Sequence, residues 1–189
     1  MTIDPCGWIF ESVIMNESVA RLMVAVLEQM VCIKLTGRAD FTLSKDSEKL
    51  ILELYERGQH RFVLDLRDCI MMDSTYLGML SGIGVKFGKS NGSEAHPLEL
   101  LNPSPRIEDV LDSLGVAHLF KIIHCPDLMP VNYQPLAPKT DTSKADVTRT
   151  CLEAHKVLMA LNPENVKKFK DVTQFLAEDL KRLELAEKK

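Results

Sequence analysis

The stretch RFVLDLRDCIMMDSTYLGMLSGIGVKF, residues 61–87, carries the strongest fold signal in the sequence. An apolar run over 62–66 predicts a buried strand, and a second set of apolar residues recurs at helical spacing: Tyr76, Leu80, Ile83 and Phe87. Between the two lie Asp73, Ser74 and Thr75. Such side chains cap a helix by accepting hydrogen bonds from its unpaired amides, but one cap needs only one side chain. The pattern predicts a strand and then a helix from about residue 75, with two polar side chains unexplained at the junction.

The flanking sequence alternates between strand and helix signals. Apolar runs predict strands at 24–28 and 31–36, which form an opening hairpin, and later strands at 97–101 and 118–123. Helical periodicity follows residue 40 up to Gly58, and again from about 105 to Gly115. Strands and helices that alternate through short connections predict an α/β fold, with a mixed, largely parallel sheet of about five strands covered by helices.

The two ends of the chain differ from this central region of 23–125. Residues 1–22 form an extension whose apolar residues could cover an edge or pack on a neighbour: Trp8, Ile9, Phe10, Val13 and Ile14. Residues 126–141 are rich in proline and predict a linker or a surface-hugging arm. Residues 142–189 carry two apolar stripes at helical spacing and predict an α-helical hairpin.

The predicted hairpin needs a further surface, because each helix has a single apolar stripe and isolated helices of this length are marginal. The stripes can pack back on the same chain, or they can meet a second copy in a four-helix bundle. We favour the second arrangement, a homodimer through the C-terminal helices.

Composition excludes several classes of protein. The 189 residues carry a net charge of −4, which gives no electrostatic reason to expect direct nucleic-acid binding. The five cysteines are scattered without a Cys-x-x-Cys pair, which argues against a metal site and for reduced thiols in the cytoplasm. The start of the chain lacks the basic region of a signal peptide, and no apolar run is long enough for membrane insertion.

The sequence offers weak support for enzymatic chemistry. GIGVKFGKSNG, residues 82–92, has three residues between Gly84 and Gly88, where a phosphate-binding loop needs four. Ser74 follows a strand as a hydrolase nucleophile does, but the Gly-x-Ser-x-Gly pattern is missing. The five histidines have no metal-ligand spacing and none lies near a candidate nucleophile in sequence. We therefore predict no catalytic residue, no metal and no cofactor.

Three separated motifs resemble one known family. CIKLTGRAD at 32–40, MDSTYLG at 72–78 and SPRIEDVLDSLGVAHLFKII at 104–123 are similar, in order and spacing, to a STAS domain of the anti-sigma factor antagonist type. The resemblance covers residues 23–125 and implies the same α/β fold. One departure is Tyr76, which stands where the family usually has glycine after the hydroxyls. A bulky ring beside the phosphorylation site limits which kinases can dock there.

The resemblance also implies a regulatory site. In the family, a partner serine kinase phosphorylates the second hydroxyl of the motif. That hydroxyl matches Thr75, and Ser74 is our second choice. We expect Ser74 to cap the helix while Thr75 points outward. The partner-binding surface would comprise Asp40, Asp73, Ser74, Thr75, Tyr76 and Gly78. We expect Tyr76 to stand partly exposed there, although its spacing to the later apolar residues also permits a core position.

The resemblance implies a phospho-regulated adaptor in transcription regulation. The unphosphorylated chain would bind an anti-sigma factor or a related serine kinase, phosphorylation would release that partner, and a serine/threonine phosphatase would reset the system. The alternative is a structural scaffold in a stressosome-like assembly that phosphorylation does not switch.

Overall fold

The computed structural model describes residues 20–28, 30–91, 98–125, 132–136 and 143–187. The strands are β1 (Arg21–Val26), β2 (Val31–Ala39), β3 (Phe62–Met72), β4 (Leu98–Leu101), β5 (Lys121–Ile123) and β6 (Gln134–Pro135). The helices are α1 (Phe41–Glu56), α2 (Ser74–Asn91), α3 (Pro105–Leu114), α4 (Lys144–Leu161) and α5 (Glu164–Glu187). The apolar residues of the N-terminal extension between Trp8 and Ile14, which could cover an edge or pack on a neighbour, lie outside the described residues.

The strands form one six-stranded sheet in the order β5-β4-β3-β2-β1-β6. Neighbours from β2 to β5 are parallel, whereas β1 is antiparallel to both β2 and β6. The predicted α/β fold with a mixed, largely parallel sheet and a C-terminal hairpin is confirmed. Two details differ: β5 is short because a 3-10 turn occupies Ala117–Leu119, and the proline-rich segment adds β6 to the sheet edge.

The sheet has a different apolar layer on each face. On one face, side chains of β2 and β3 such as Ile33 and Leu64 pack with residues of α1, α2 and α3 in the main core. On the other face, Cys32 and Val63 form a smaller cluster with Tyr133, which lies in the proline-rich segment. Alternate residues of one strand point to opposite faces, so both layers come from the same strands.

Helices α4 and α5 pack on the chain that carries them. Leu158 of α4 is fully buried and belongs to the main core. At the turn between the helices, Asn165 Nδ2 donates to the Leu114 carbonyl at 2.9 Å and Lys168 Nζ donates to the Ser113 carbonyl at 2.6 Å. These bonds satisfy carbonyls at the end of α3. The hairpin thus packs in cis, the arrangement that we did not favour from sequence, and homodimerisation stays a prediction.

A buried carboxylate lies on the face of β3 that Tyr133 covers. Asp65 is fully buried, its Oδ1 accepts from Arg67 Nε at 3.0 Å, and its Oδ2 accepts from Arg67 and from the Tyr133 hydroxyl. Burial opposes ionisation of Asp65, but the hydrogen bonds and positive charge of Arg67 outweigh it, so the pKa of Asp65 lies below its ordinary value of 3.8.

We predict that Arg67→Met lowers the free energy of unfolding by about 2 kcal/mol at pH 7, because the buried carboxylate loses its charged donor. A lowered folded-state pKa stabilises the fold above pH 3.8 and ceases to do so as pH falls through the folded-state value. Urea unfolding should therefore show a smaller difference from wild type at pH 3 than at pH 7. The exposed Arg106, changed to Met, is the control, and an equal loss in both variants would contradict the prediction.

Candidate functional site

The candidate site lies where β2 and β3 end and α1 and α2 begin. These strands are parallel neighbours, so their C-terminal ends meet at one edge of the sheet. Asp40 follows β2 and Asp73 follows β3, and the Asp73 amide donates to the Ala39 carbonyl at 3.0 Å. The two acidic residues of the predicted partner-binding surface are thereby brought together.

Asp73 connects the starts of both helices. Its Oδ1 accepts the Tyr76 amide at 2.8 Å, and its Oδ2 accepts the Phe41 amide at 3.1 Å. Asp73 therefore caps α2, and the expectation that Ser74 does so is wrong because α2 begins at Ser74 itself. Asp40 caps α1 by accepting the Thr42 amide at 3.0 Å.

The Asp73 carboxylate is costly to ionise in the fold. Burial raises its pKa above the ordinary value, the amides of Tyr76 and Phe41 counteract that rise, and the nearby charge of Asp40 adds to it. An additional anion at this position would meet two carboxylates that already repel each other.

Thr75 is covered rather than exposed. Only 4% of its surface is accessible, and its hydroxyl lies 3.6 Å from Cys151 Sγ of α4. The expectation that Thr75 points outward is wrong, because α4 lies across the first turn of α2. Burial raises the pKa of the Cys151 thiol, and the charge of Asp73 also raises it, whereas the Thr75 hydroxyl lowers it.

Ser74 contacts a histidine that sequence reasoning did not connect with the site. The Ser74 hydroxyl lies 2.9 Å from His155 Nε2, and His155 Nδ1 lies 2.7 Å from the Cys151 carbonyl oxygen. A carbonyl only accepts, so in the neutral ring Nδ1 carries the proton and Nε2 accepts from Ser74. The sequence gives only a weak indication of this contact: His155 directly follows Ala154, one of the apolar residues that recur at helical spacing in α4.

Ser74 and His155 lie as close together as a nucleophile and its general base, but their surroundings favour a structural contact between α2 and α4 over catalysis. His155 is buried and its ring lies 4.8 Å from the ring of Phe169 of α5. The Tyr76 amide, which could bind a developing oxyanion at this helix start, is already engaged by Asp73. We interpret the pair as a contact that holds α4 on α2.

Tyr76 and Gly78 also lie beneath other elements. Tyr76 is fully buried and its hydroxyl lies 2.9 Å from Ser47 Oγ of α1, so the expectation of partial exposure is wrong and the core alternative is correct. Gly78 faces the backbone of α4, and a Cβ at this position would lie 2.8 Å from the Cβ of Ala154 and closer still to its carbonyl.

The predicted partner surface is therefore divided by exposure. Asp40, Asp73 and Ser74 are partly accessible, and Phe41 beside them is 42% exposed. The remaining predicted residues are covered: Thr75, Tyr76 and Gly78. In the described part of the chain, no three histidine, cysteine or acidic side chains are placed to hold a metal ion. None of the helices described has the length and apolar character needed to cross a membrane.

The mixed sheet, with two capped helices starting at one edge, defines a small α/β domain. The sequence model of the STAS domain matches residues 21–125, and the chain belongs to this family. A STAS-domain containing protein of Pseudomonas aeruginosa is 33% identical over 97 residues, which cover 50% of this chain and 88% of that protein.

Solved structures of low sequence identity also match. The protein TM1081 of Thermotoga maritima is 19% identical with a TM-score of 0.47, and the match covers 54% of this chain and 84% of that one. The anti-sigma factor antagonist SpoIIAA in its unphosphorylated form is 21% identical with a TM-score of 0.46, over 56% of this chain and 88% of that one.

We predict that Asp73→Ala lowers the free energy of unfolding by about 2 kcal/mol, because two helix amides lose their acceptor. Ser74→Ala should cost only about 1 kcal/mol, since it removes one hydrogen bond to His155. Urea unfolding of both variants provides the measurement. A larger loss for Ser74→Ala would contradict the assignment of Asp73 as the cap.

We predict that Tyr76→Gly costs about 4 kcal/mol or more, because it leaves a large core cavity and adds a helical glycine. Tyr76→Phe should cost about 1–2 kcal/mol, since it leaves the fully buried Ser47 hydroxyl without its partner. Tyr55→Phe on the partly exposed Tyr55 is the control for urea unfolding. A Tyr76→Gly loss near 1 kcal/mol would instead fit an exposed ring.

Proposed function

We propose that the chain is a phospho-regulated protein–protein interaction adaptor of the anti-sigma factor antagonist type. It binds an anti-sigma factor or a related serine kinase through the start of α2, and phosphorylation of Thr75 releases that partner. A serine/threonine phosphatase restores the binding form, and the chain acts by binding and not by catalysis. The observation that carries the proposal is the run Asp73-Ser74-Thr75 at the start of α2 in a STAS domain.

Charge supplies the first part of the switch. A phosphate on Thr75 adds close to two negative charges in the turn that Asp73 caps. Two like charges about 4 Å apart near a protein surface repel by roughly 4 kcal/mol. Because each 1.4 kcal/mol is about tenfold in affinity, one such repulsion between the phosphate and an acidic group of the partner would weaken binding by roughly a thousandfold.

Burial supplies the second part. The Thr75 hydroxyl is nearly inaccessible and contacts a thiol, which offers no positive charge to a phosphate. A phosphate cannot occupy that space without moving what covers it, because a charged group that is buried without a partner is strongly disfavoured. Phosphorylation therefore changes the packing on α2 as well as its charge.

A structural scaffold in a stressosome-like assembly is the second candidate. The hydroxyls of Ser74 and Thr75 have structural partners in α4, which a purely architectural role would explain. The outer side of α5 also exposes large apolar residues, Phe175 at 77% and Leu185 at 58%, which suits contacts between chains. Homodimerisation through this side of α5 belongs to the same proposal.

The test is capture of host proteins by the full-length tagged chain, with phosphate mapped by mass spectrometry. We expect to find a phosphate on Thr75. We expect the chain that carries this phosphate to capture at least tenfold less of the partner than the unphosphorylated chain does. Thr75→Val should retain the partner under the same conditions, because it keeps the size of the side chain but cannot be phosphorylated.

Thr75→Ser is the matched control, because it retains a hydroxyl at the same position and should release the partner as wild type does. Phosphate on Ser74 alone would move the switch by one residue. Equal capture by wild type, Thr75→Val and Thr75→Ser in every phosphorylation state would contradict the switch and favour the scaffold. Thr75→Asp is a poor mimic, because it places a charge at a buried position.

A further inference from the structure

We propose that the surface of α2 bearing Ser74, Thr75 and Gly78 binds helices, and that the hairpin α4–α5 is its intramolecular occupant. A protein partner must displace α4 before it reaches the hydroxyls, so the hairpin inhibits the chain that carries it. This inference rests on the proposed function, since it assigns a regulator to the same site.

The close approach at Gly78 determines which kind of helix can pack on this surface of α2. A Cβ on Gly78 would overlap the carbonyl group of Ala154, so α4 contacts α2 backbone against backbone. Such an approach requires a glycine on one helix and a small residue on the other. A partner that replaces α4 at this point meets the same limit, and we infer that it presents a helix with a small side chain opposite Gly78.

Polar contacts place α4 in one register on this surface. His155 and Cys151 are one helical turn apart and meet the adjacent hydroxyls of Ser74 and Thr75. Lys45 Nζ of α1 lies 3.4 Å from Asp146 Oδ2 near the start of α4. The hydroxyls expected to meet a partner are thus already paired with the hairpin.

The hairpin lies outside the residues that the family model matches, although Leu158 of α4 belongs to the main core. The STAS match ends at Cys125, before α4 begins, and the strands and helices of the sheet domain all precede that residue except β6. The turn of the hairpin is held on α3 through Asn165 and Lys168, away from the hydroxyls. Movement of α4 off α2 therefore does not require the sheet to open.

The test uses the full-length chain and a steric wedge. Gly78→Ala places a Cβ against Ala154, whereas Gly88→Ala makes the same change on the same helix with no atom within 4 Å. Alanine favours a helix over glycine at both positions, so a difference between the variants reports on α4 alone. We expect N-ethylmaleimide to alkylate Cys151 at least tenfold faster in Gly78→Ala than in Gly88→Ala.

A second pair places the wedge on the hairpin, so that the sheet domain stays unchanged. Ala154→Leu enlarges the buried side chain that faces Gly78, and Ala160→Leu makes the same change at an exposed position of α4. Circular dichroism monitors the fold of all four variants, and the second pair decides the matter if Gly78→Ala does not fold.

Partner capture then separates the inference from the proposed function. Faster alkylation in both wedge variants, together with at least tenfold greater capture by Ala154→Leu than by Ala160→Leu, supports the inference. Gly78→Ala should not gain capture, because its Cβ also obstructs the partner's helix. Faster alkylation of Ala154→Leu with capture equal to that of Ala160→Leu would overturn the inhibitory role, while the phosphate-dependent release in wild type would still support the adaptor. No capture by any variant would refute the adaptor, and the inference with it. Unchanged alkylation in both wedge variants would show that α4 is not displaced and would overturn the inference.

Discussion

The carboxylate of Asp73 is the interaction on which the site depends. Its two oxygens accept amides from the first turns of α1 and α2, so one side chain fixes the two loops at the end of adjacent parallel strands. Burial makes the carboxylate charge costly, and the two charge-assisted hydrogen bonds offset part of that cost. Because Asp73 supplies the cap, Ser74 and Thr75 are free to contact another element. Both hydroxyls are then used by α4.

The sheet and its helices were predictable because local periodicity determines them. The apolar run at 62–66 and the helical spacing from Tyr76 correspond to β3 and α2, although β3 continues to Met72. The capping residue was assigned wrongly for a small reason. We placed the helix start at about residue 75, one position late, and that shift transferred the cap from Asp73 to Ser74. Helix boundaries are the least reliable part of such reasoning, and the roles of polar residues depend on them.

The cover over the site was not predictable, because it depends on contacts between distant residues. Thr75 and Cys151 are 76 positions apart, and Ser74 and His155 are 81 apart. The apolar stripe of α4 predicted that the helix would be buried, but a stripe does not identify the surface that it packs on. Gly78 was read as part of the family motif, whereas its closest neighbour is the backbone of Ala154. The helical spacing of Tyr76 with Leu80 and Ile83 did indicate the core position that Tyr76 occupies.

An intramolecular cover and a phosphate act on the same surface in different ways. A partner that binds only the open form has its apparent affinity reduced by the open fraction, so 1.4 kcal/mol of hairpin docking weakens binding about tenfold. A phosphate on Thr75 disfavours the closed form, because the covered hydroxyl has no room and no cation for it, and it also repels an acidic partner surface. The proposed scheme thus has three states: closed, open with partner, and phosphorylated without partner. Phosphorylation in this scheme does not return the chain to its closed form, so only a phosphatase allows α4 to dock on α2 again.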